Sequence, residues 1–376
     1  MSRALVTALQ KIAAAPIDRA SAMPPAIYTS ESWLQLERAQ IFTREWICAG
    51  RADAAPRRGD YFVFNIAEHP IFVIRDDDDE LRAFSNVCLH RMTRLLGGTG
   101  NCKRIVCPYH AWTYDRQGRL TAAPFMKERP GFDMTKMRLP EIRCETWQGW
   151  VYLTLNNKQQ SVAARLRELT PYLEGYNMAN YRQIACEDDV WNTNWKCLTE
   201  NFMEGYHLPV AHRKTLGGHF PVRETRFADK THKHFTLQTF TKKTSAIVGT
   251  AHPDNTILRG EKRRTSVLVT VYPSHMYSLA PDHLWHLSLQ PRGTGKVAIR
   301  FGAALAPEVA DAHPDLDAFT SDVVKFLRAV NAEDRAVVES VYEGMNSGLA
   351  KPGPLCWLER EGHEFAGYLA RMIKAR

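Results

Sequence analysis

Two short segments alternate cysteine with histidine: Asn86-Val-Cys88-Leu-His90-Arg91, and later Cys107-Pro-Tyr-His110-Ala-Trp112. A glycine-bearing stretch, Leu95 to Gly100, lies between them. Each segment offers one thiolate and one imidazole from a tight loop, a donor set that suits a soft or borderline metal. Tetrahedral zinc is one reading of four such donors. The other is a two-iron, two-sulfide cluster in which Cys88 and Cys107 hold one iron and His90 and His110 the second. Exchanging two thiolates for imidazoles makes such a cluster less negative and easier to reduce, which suits one-electron delivery. Cys48, Cys102, Cys144, Cys186, Cys197 and Cys356 lack a histidine at comparable spacing and read as structural thiols.

A second group of donors follows in Glu200-Asn-Phe-Met-Glu204-Gly-Tyr-His207-Leu-Pro209-Val-Ala-His212. Glu204 and His207 share a face of a regular helix, whereas the five residues to His212 turn about 500° and would point it elsewhere. Pro209 predicts the interruption that brings it back. Two imidazoles need a carboxylate to form a facial set with open metal positions. Leu316 to Glu343 reads as a long helix whose apolar stripe runs Phe319, Val323, Phe326, Val330, Val337 and Val341. Asp334 occupies the slot where that stripe should continue. A buried carboxylate needs a partner. A metal would supply one; an ion pair with Arg328 or Arg335 is the structural alternative, and Asp322, at the stripe's edge, is the competing ligand.

Certain elements must position these donors. Short β-rich runs recur between turn signals from Trp46 to about Leu155, predicting a small antiparallel domain, with the acid run Asp76 to Glu80 as a solvated hairpin tip. Helices are expected over the N-terminus, Glu31 to Trp46 and Ser161 to Leu173. Further strands at Tyr181 to Val190, Thr231 to Thr241, Thr265 to Pro273, Leu284 to Gln290 and Lys296 to Leu305 predict a second antiparallel sheet flanked by helices. The class is α+β, divided as 1–45 (N-terminal helices packing on the second domain), 46–156 (the β domain) and 157–376 (the second domain). The 376 residues, 44% hydrophobic and 24% charged, describe a packed chain and exclude a disordered or fibrous one. The net charge of +8 is spread along the chain, so nucleic acid is not an expected partner. No apolar run approaches the roughly 18 residues of a membrane span, and Lys11 interrupts any secretory core, so a cytoplasmic location is expected. No Gly-x-Gly-x-x-Gly follows a strand, so reducing power has to come from another protein.

In the Cys88/His90 and Cys107/His110 loops the chain resembles the Rieske domain of non-haem iron oxygenase alpha subunits, the aromatic-ring-hydroxylating family. Met92 and Ala111 stand where that family usually has glycine. The resemblance extends to the acid-x-x-His-x-x-x-x-His motif of Glu204, His207 and His212, and to Ala332-Glu333-Asp334, which matches the family's acidic pair. It implies a 2Fe-2S cluster on Cys88, His90, Cys107 and His110, and a mononuclear Fe(II) on His207, His212 and Asp334. It further implies O2 as co-substrate, electrons from NAD(P)H through a separate flavin and iron–sulfur reductase, and a homotrimer in which Glu204 bridges to the neighbouring subunit's cluster. Most relatives have aspartate at that position; glutamate resembles the branch acting on carnitine- and betaine-like quaternary amines. The resemblance thus implies oxidative demethylation or C–N cleavage of a quaternary or methylated amine. Aromatic ring hydroxylation is the alternative, and a Rieske electron-transfer protein without oxygenase activity is an alternative of another class. Tyr272, Tyr277 and Trp285, with Trp357, are candidates for an aromatic box around a substrate cation.

Overall fold

The computed structural model describes residues 2–217, 221–243 and 248–374. The chain forms two compact units, residues 42–162 and residues 1–41 with 163–376. No helix among the described residues is long and apolar enough to cross a membrane.

The 42–162 unit contains ten strands: β1 Ile47–Arg51, β2 Asp60–Ile66, β3 His69–Arg75, β4 Leu81–Ser85, β5 Thr99–Asn101, β6 Ile105–Val106, β7 Thr113–Tyr114, β8 Leu120–Ala122, β9 Glu141–Trp147 and β10 Trp150–Thr154. Seven form an antiparallel sheet ordered β1-β10-β9-β4-β3-β2-β5, and β6, β7 and β8 form a small second sheet. Alternation sets the faces: β2 buries Phe62, Phe64 and Ile66 and leaves Tyr61, Val63 and Asn65 half-buried. The core joins Phe72, Ile74 and Phe84 to Cys88, Cys107, Trp112 and Tyr114, so both loop cysteines are rooted in it. The β3–β4 turn departs from a simple solvated tip. Asp76 is buried there, accepting from Arg82 Nε at 2.6 Å and from the backbone of Asp78 and Glu80.

The other unit is built on a seven-stranded antiparallel sheet: β11 Arg182–Trp191, β12 Arg226–Phe227, β13 Phe235–Thr241, β14 Thr265–Val271, β15 His275–Leu279, β16 His283–Gly293 and β17 Lys296–Leu305, ordered β11-β17-β16-β15-β14-β13-β12. The N-terminal helix Ser2–Ala14 packs against the C-terminal helix Arg360–Met372 within this unit. The expected helix from Glu31 to Trp46 ends as an α-helix at Glu37 and runs on as a π turn to Phe42. The expected helix from Ser161 to Leu173 is two single turns, Val162–Arg165 and Thr170–Leu173.

The long helix spans Leu316–Met345, capped by the Asp315 carboxylate, which accepts from Ala318 N. Its apolar stripe faces cavities more than solid core: of the predicted positions only Val330 is buried, together with Leu327 and Val338, while Phe326 and Val341 remain exposed. Phe319 to Phe326 line an outer cavity, Leu327 to Asp334 an inner one, and Val337 to Met345 a third behind it.

Candidate metal centres

In the β unit the two loops share one backbone device. Cys88 N donates to Thr93 O and Met92 N to Cys88 O; Cys107 N donates to Trp112 O and Ala111 N to Cys107 O. Each loop turns through a left-handed residue, Met92 and Ala111, both at φ 57°. A residue without Cβ adopts that conformation at lowest cost, which accounts for glycine being usual at both positions in the family. The cysteines are buried while His90 and His110 are exposed, with ring centroids 4.6 Å apart and His90 stacked on Trp112 at 4.9 Å. The Tyr114 hydroxyl lies 3.3 Å from Cys88 Sγ and accepts from Leu89 N at 3.1 Å. Partial desolvation against its neighbours, with the charge of His110 adding to it, lowers the His90 pKa and so favours the neutral imidazole that a metal requires. Two buried sulfurs and two exposed imidazoles on matched loops fit a cluster with one protected and one accessible iron.

In the larger unit the helix Trp195–Phe202 starts at Asn194, whose side-chain oxygen accepts from Lys196 N at 3.0 Å and whose amide donates to Tyr28 O and Thr294 O. The buried Lys196 ammonium pairs with Glu37 Oε1 at 2.7 Å between the rings of Tyr28 and Trp195. The helix ends at Met203, and a second short one, Leu208–Ala211, starts after His207 with Pro209 in its first turn. The interruption therefore precedes Pro209, which occupies a position where its missing N–H costs nothing. Both imidazoles turn inward as a result.

His207, His212 and Asp334 present one donor atom each, all within 4.8 Å of one another. Asp334 Oδ1 is 3.0 Å from His212 Nε2 and 3.6 Å from His207 Nε2. The opposite ring nitrogens are each held by a carboxylate: His207 Nδ1 by Glu204 Oε1 at 2.5 Å, and His212 Nδ1 by Glu333 Oε2 at 2.9 Å. Glu204 also accepts from His207 N, and Thr215 donates to Glu333. Fixing Nδ1–H toward a carboxylate leaves Nε2 with its lone pair toward Asp334, the arrangement by which proteins orient imidazoles on a metal. Burial works against a charged His212, yet Asp334 and Glu333 outweigh it and raise its pKa. Two imidazoles and one carboxylate on one side of an open chamber fit a divalent iron with free coordination positions. Arg328 pairs with Glu187, and Arg335 with Glu339 and Asp189, so neither arginine is the partner of Asp334.

Asp322 lies about three helical turns from Asp334 and lines the outer cavity instead. The aromatic box expected from sequence is not formed. Leu268, Ser278, Trp285 and Ala303 are cross-strand neighbours whose side of the sheet lines the cavities. Tyr277, next to Ser278 on β15, therefore faces the other way. Tyr272 stacks on Tyr368 at 4.5 Å in the core, and Trp357 is exposed beside Phe227. Of these four only Trp285 reaches the chamber, and its ring lies between those of His283, at 5.1 Å, and Phe326, at 5.7 Å. Phe326 belongs to the predicted stripe, but nothing in the sequence distinguishes it as a cavity residue. Glu333, which holds His212, has one signal in the sequence, an acid beside Asp334 on the same helix.

A model of the ring hydroxylating alpha subunit catalytic domain matches residues 174–375. The chain is a ring-hydroxylating alpha subunit. A Rieske [2Fe-2S] domain model matches residues 45–143 of the same alpha subunit, which overturns zinc as the reading of the Cys/His loops and identifies an iron–sulfur oxygenase. The catalytic domain equally rules out a bare electron carrier. This alpha subunit is 26% identical over 370 residues to the glycine betaine monooxygenase oxygenase subunit of Pseudomonas aeruginosa, covering 90% of this chain and 85% of that one. It is 31% identical over 225 residues to the carnitine monooxygenase oxygenase subunit of Acinetobacter pittii, covering 59% and 60%. In fold it matches a quaternary ammonium Rieske monooxygenase in complex with L-carnitine, with TM-score 0.81, 24% identity and coverage of 95% and 97%. It also matches naphthalene 1,2-dioxygenase from Rhodococcus sp., with TM-score 0.79, 20% identity and coverage of 99% and 98%. The alpha subunit is an oxidoreductase of the Rieske type that uses a 2Fe-2S cluster, a mononuclear iron and O2.

Proposed function

We propose that this oxygenase hydroxylates an N-methyl group or adjacent carbon of a small quaternary or methylated amine, so that demethylation or C–N cleavage follows. The observation that carries the reading is the chamber beside His207, His212 and Asp334. It holds about 100 Å³, is walled by apolar side chains such as Phe202, Leu208, Leu287 and Phe301, and has the Trp285 ring at the junction with the outer cavity. A trimethylammonium head presents an apolar surface carrying a diffuse positive charge, and an indole face attracts such a cation. In the outer cavity of about 450 Å³, Asp322 makes no ion pair among the described residues, and Asp282 faces the same space. These two carboxylates favour entry of a cation. The named activities of the glycine betaine and carnitine relatives support the same substrate class.

In this reading Cys88, Cys107, His90 and His110 hold the cluster, and His207, His212 and Asp334 hold the iron. When bound, these groups supply one-electron transfer and the reduction of dioxygen. The chain's own residues do the rest. Glu204 and Glu333 keep both imidazoles in the metal-facing tautomer, Trp285 orients the substrate cation, and the apolar walls exclude water. We place Glu204 also as the bridge to the cluster of a second copy within a homotrimer, and assign electron supply to a separate NAD(P)H-dependent reductase in the cytoplasm. The test is incubation of holoenzyme, reductase and NADH with a panel of betaines, carnitines and aromatic acids. Formaldehyde or a C–N cleavage product from an amine is the expected result, and a diol from an arene with no amine turnover rejects the assignment.

A further inference from the structure

A cavity of about 250 Å³ lies on the far side of Asn201, Glu204 and His207, three residues that line both it and the metal chamber. Its polar wall is Tyr28, Glu200, Glu359 and His363. The space is large enough for water, and these four side chains offer it hydrogen-bonding partners. Glu200 and Glu204 stand four residues apart, yet their carboxylates are used differently. Both oxygens of Glu204 accept from His207. Both oxygens of Glu200 face the Tyr28 hydroxyl, at 2.8 and 3.0 Å, and Lys196, its nearest cation on the same helix, is already paired with Glu37.

We propose that Glu200 is the proton reservoir of the oxygenase, feeding the partition formed by Glu204, Asn201 and His207 from behind. Monooxygenation consumes RH, O2, two electrons and two protons and yields ROH and H2O. The reductase supplies the electrons; one proton leaves the Glu200 carboxyl, whose O–H bond breaks to give a carboxylate held by the Tyr28 hydroxyl, the second comes from solvent water, and both end on the oxygen atom released as H2O. Water in the rear cavity then returns the proton. Glu200 acts through the water and the partition rather than by touching substrate.

The groups facing Glu200 are Lys196 and Cys197 on its own helix, Tyr28, Glu359 and His363; the long helix contributes only Val337, Val338, Val341 and Met345 to this cavity. Burial pushes the Glu200 carboxyl up to about 7, against the Tyr28 hydrogen bond and the Lys196 charge and with the Glu359 charge adding to the rise. The group is thus divided between acid and carboxylate at neutral pH, where a proton donor works best. The Tyr28 hydroxyl is held well above its ordinary pKa by burial and remains a donor.

The proposal rests on the oxygenase chemistry and not on the substrate class, because its first readout needs no substrate. Infrared pH titration of the holoenzyme is expected to show a carboxylic C=O band with a midpoint near 7 that is absent in Glu200→Gln and moves to higher pH in Tyr28→Phe. With a turned-over substrate, Glu200→Gln is expected to lower kcat about 100-fold at unchanged KM, with a larger solvent isotope effect; Tyr28→Phe serves if the glutamine variant does not fold. A band titrating near the ordinary glutamate value, or a kcat–pH profile of the glutamine variant that overlays the wild type, overturns it.

Discussion

Glu333→Ala removes the carboxylate that holds His212 Nδ1 at 2.9 Å without touching any of the three donors that face one another. His212 is 1% exposed, so the ring keeps its packing but loses the contact that fixes its tautomer and rotation. A hydrogen bond to a charged partner is worth about 1.5–3 kcal/mol. At about 1.4 kcal/mol per tenfold, that corresponds to a loss of roughly 10- to 150-fold in affinity. Outer-sphere carboxylates on metal-bound histidines typically cost about 10–100-fold when removed, which agrees. Thr215→Val, which removes the hydroxyl donating to Glu333, is expected to cost less, about 3- to 10-fold. The assay is anaerobic equilibrium dialysis of Fe(II) against protein stripped of mononuclear iron, with the cluster's visible absorption as an internal reference. An affinity within twofold of wild type in the alanine variant refutes the idea that Glu333 orients His212 for metal.

His207→Ala is expected to leave the cluster spectrum intact while turnover falls below detection; loss of the cluster spectrum would place His207 in a general folding role. Tyr114→Phe removes the hydroxyl 3.3 Å from Cys88 Sγ. At about 1 kcal/mol for that bond, and 59 mV per tenfold for one electron, the cluster potential is expected to drop by roughly 40 mV in a redox titration, and an unchanged potential counts against the contact. Ala111→Gly relieves a left-handed alanine at φ 57° on an exposed loop and is expected to stabilise it by about 1 kcal/mol, read as slower thermal bleaching of the cluster. Faster bleaching would mean that the alanine methyl has a packing role.

Both metal sites were legible where their donors are close in sequence. The Cys88/His90 and Cys107/His110 loops, and the run from Glu204 to His212, carry their spacing in the chain itself. Asp334, more than a hundred residues later, was still visible because an acid interrupts an apolar stripe of fixed period. The aromatic box failed for a physical reason. Strand β15 is buried on both faces, so its sequence carries no polar alternation to say whether Tyr277 or Ser278 turns to the chamber. The stripe of the long helix does not reveal in sequence whether it meets core or cavity, because cavity-lining and core-packing side chains have the same composition. The outcome was Phe326 beside Trp285, where Tyr272 and Tyr277 had been expected. Glu200 is not legible because a half-buried acid four residues before Glu204 looks, in sequence, like an ordinary polar position on a helix.

Iron and acid-labile sulfide analysis of the purified holoprotein, read beside its visible spectrum, tests the central claim most directly. Three irons and two sulfides per chain are predicted, falling to two irons and two sulfides in His207→Ala. A colourless zinc protein, or a wild-type chain that binds only two irons under every loading condition, would contradict the assignment of an electron-storing cluster and a separate oxygen-reducing iron to the residues named above.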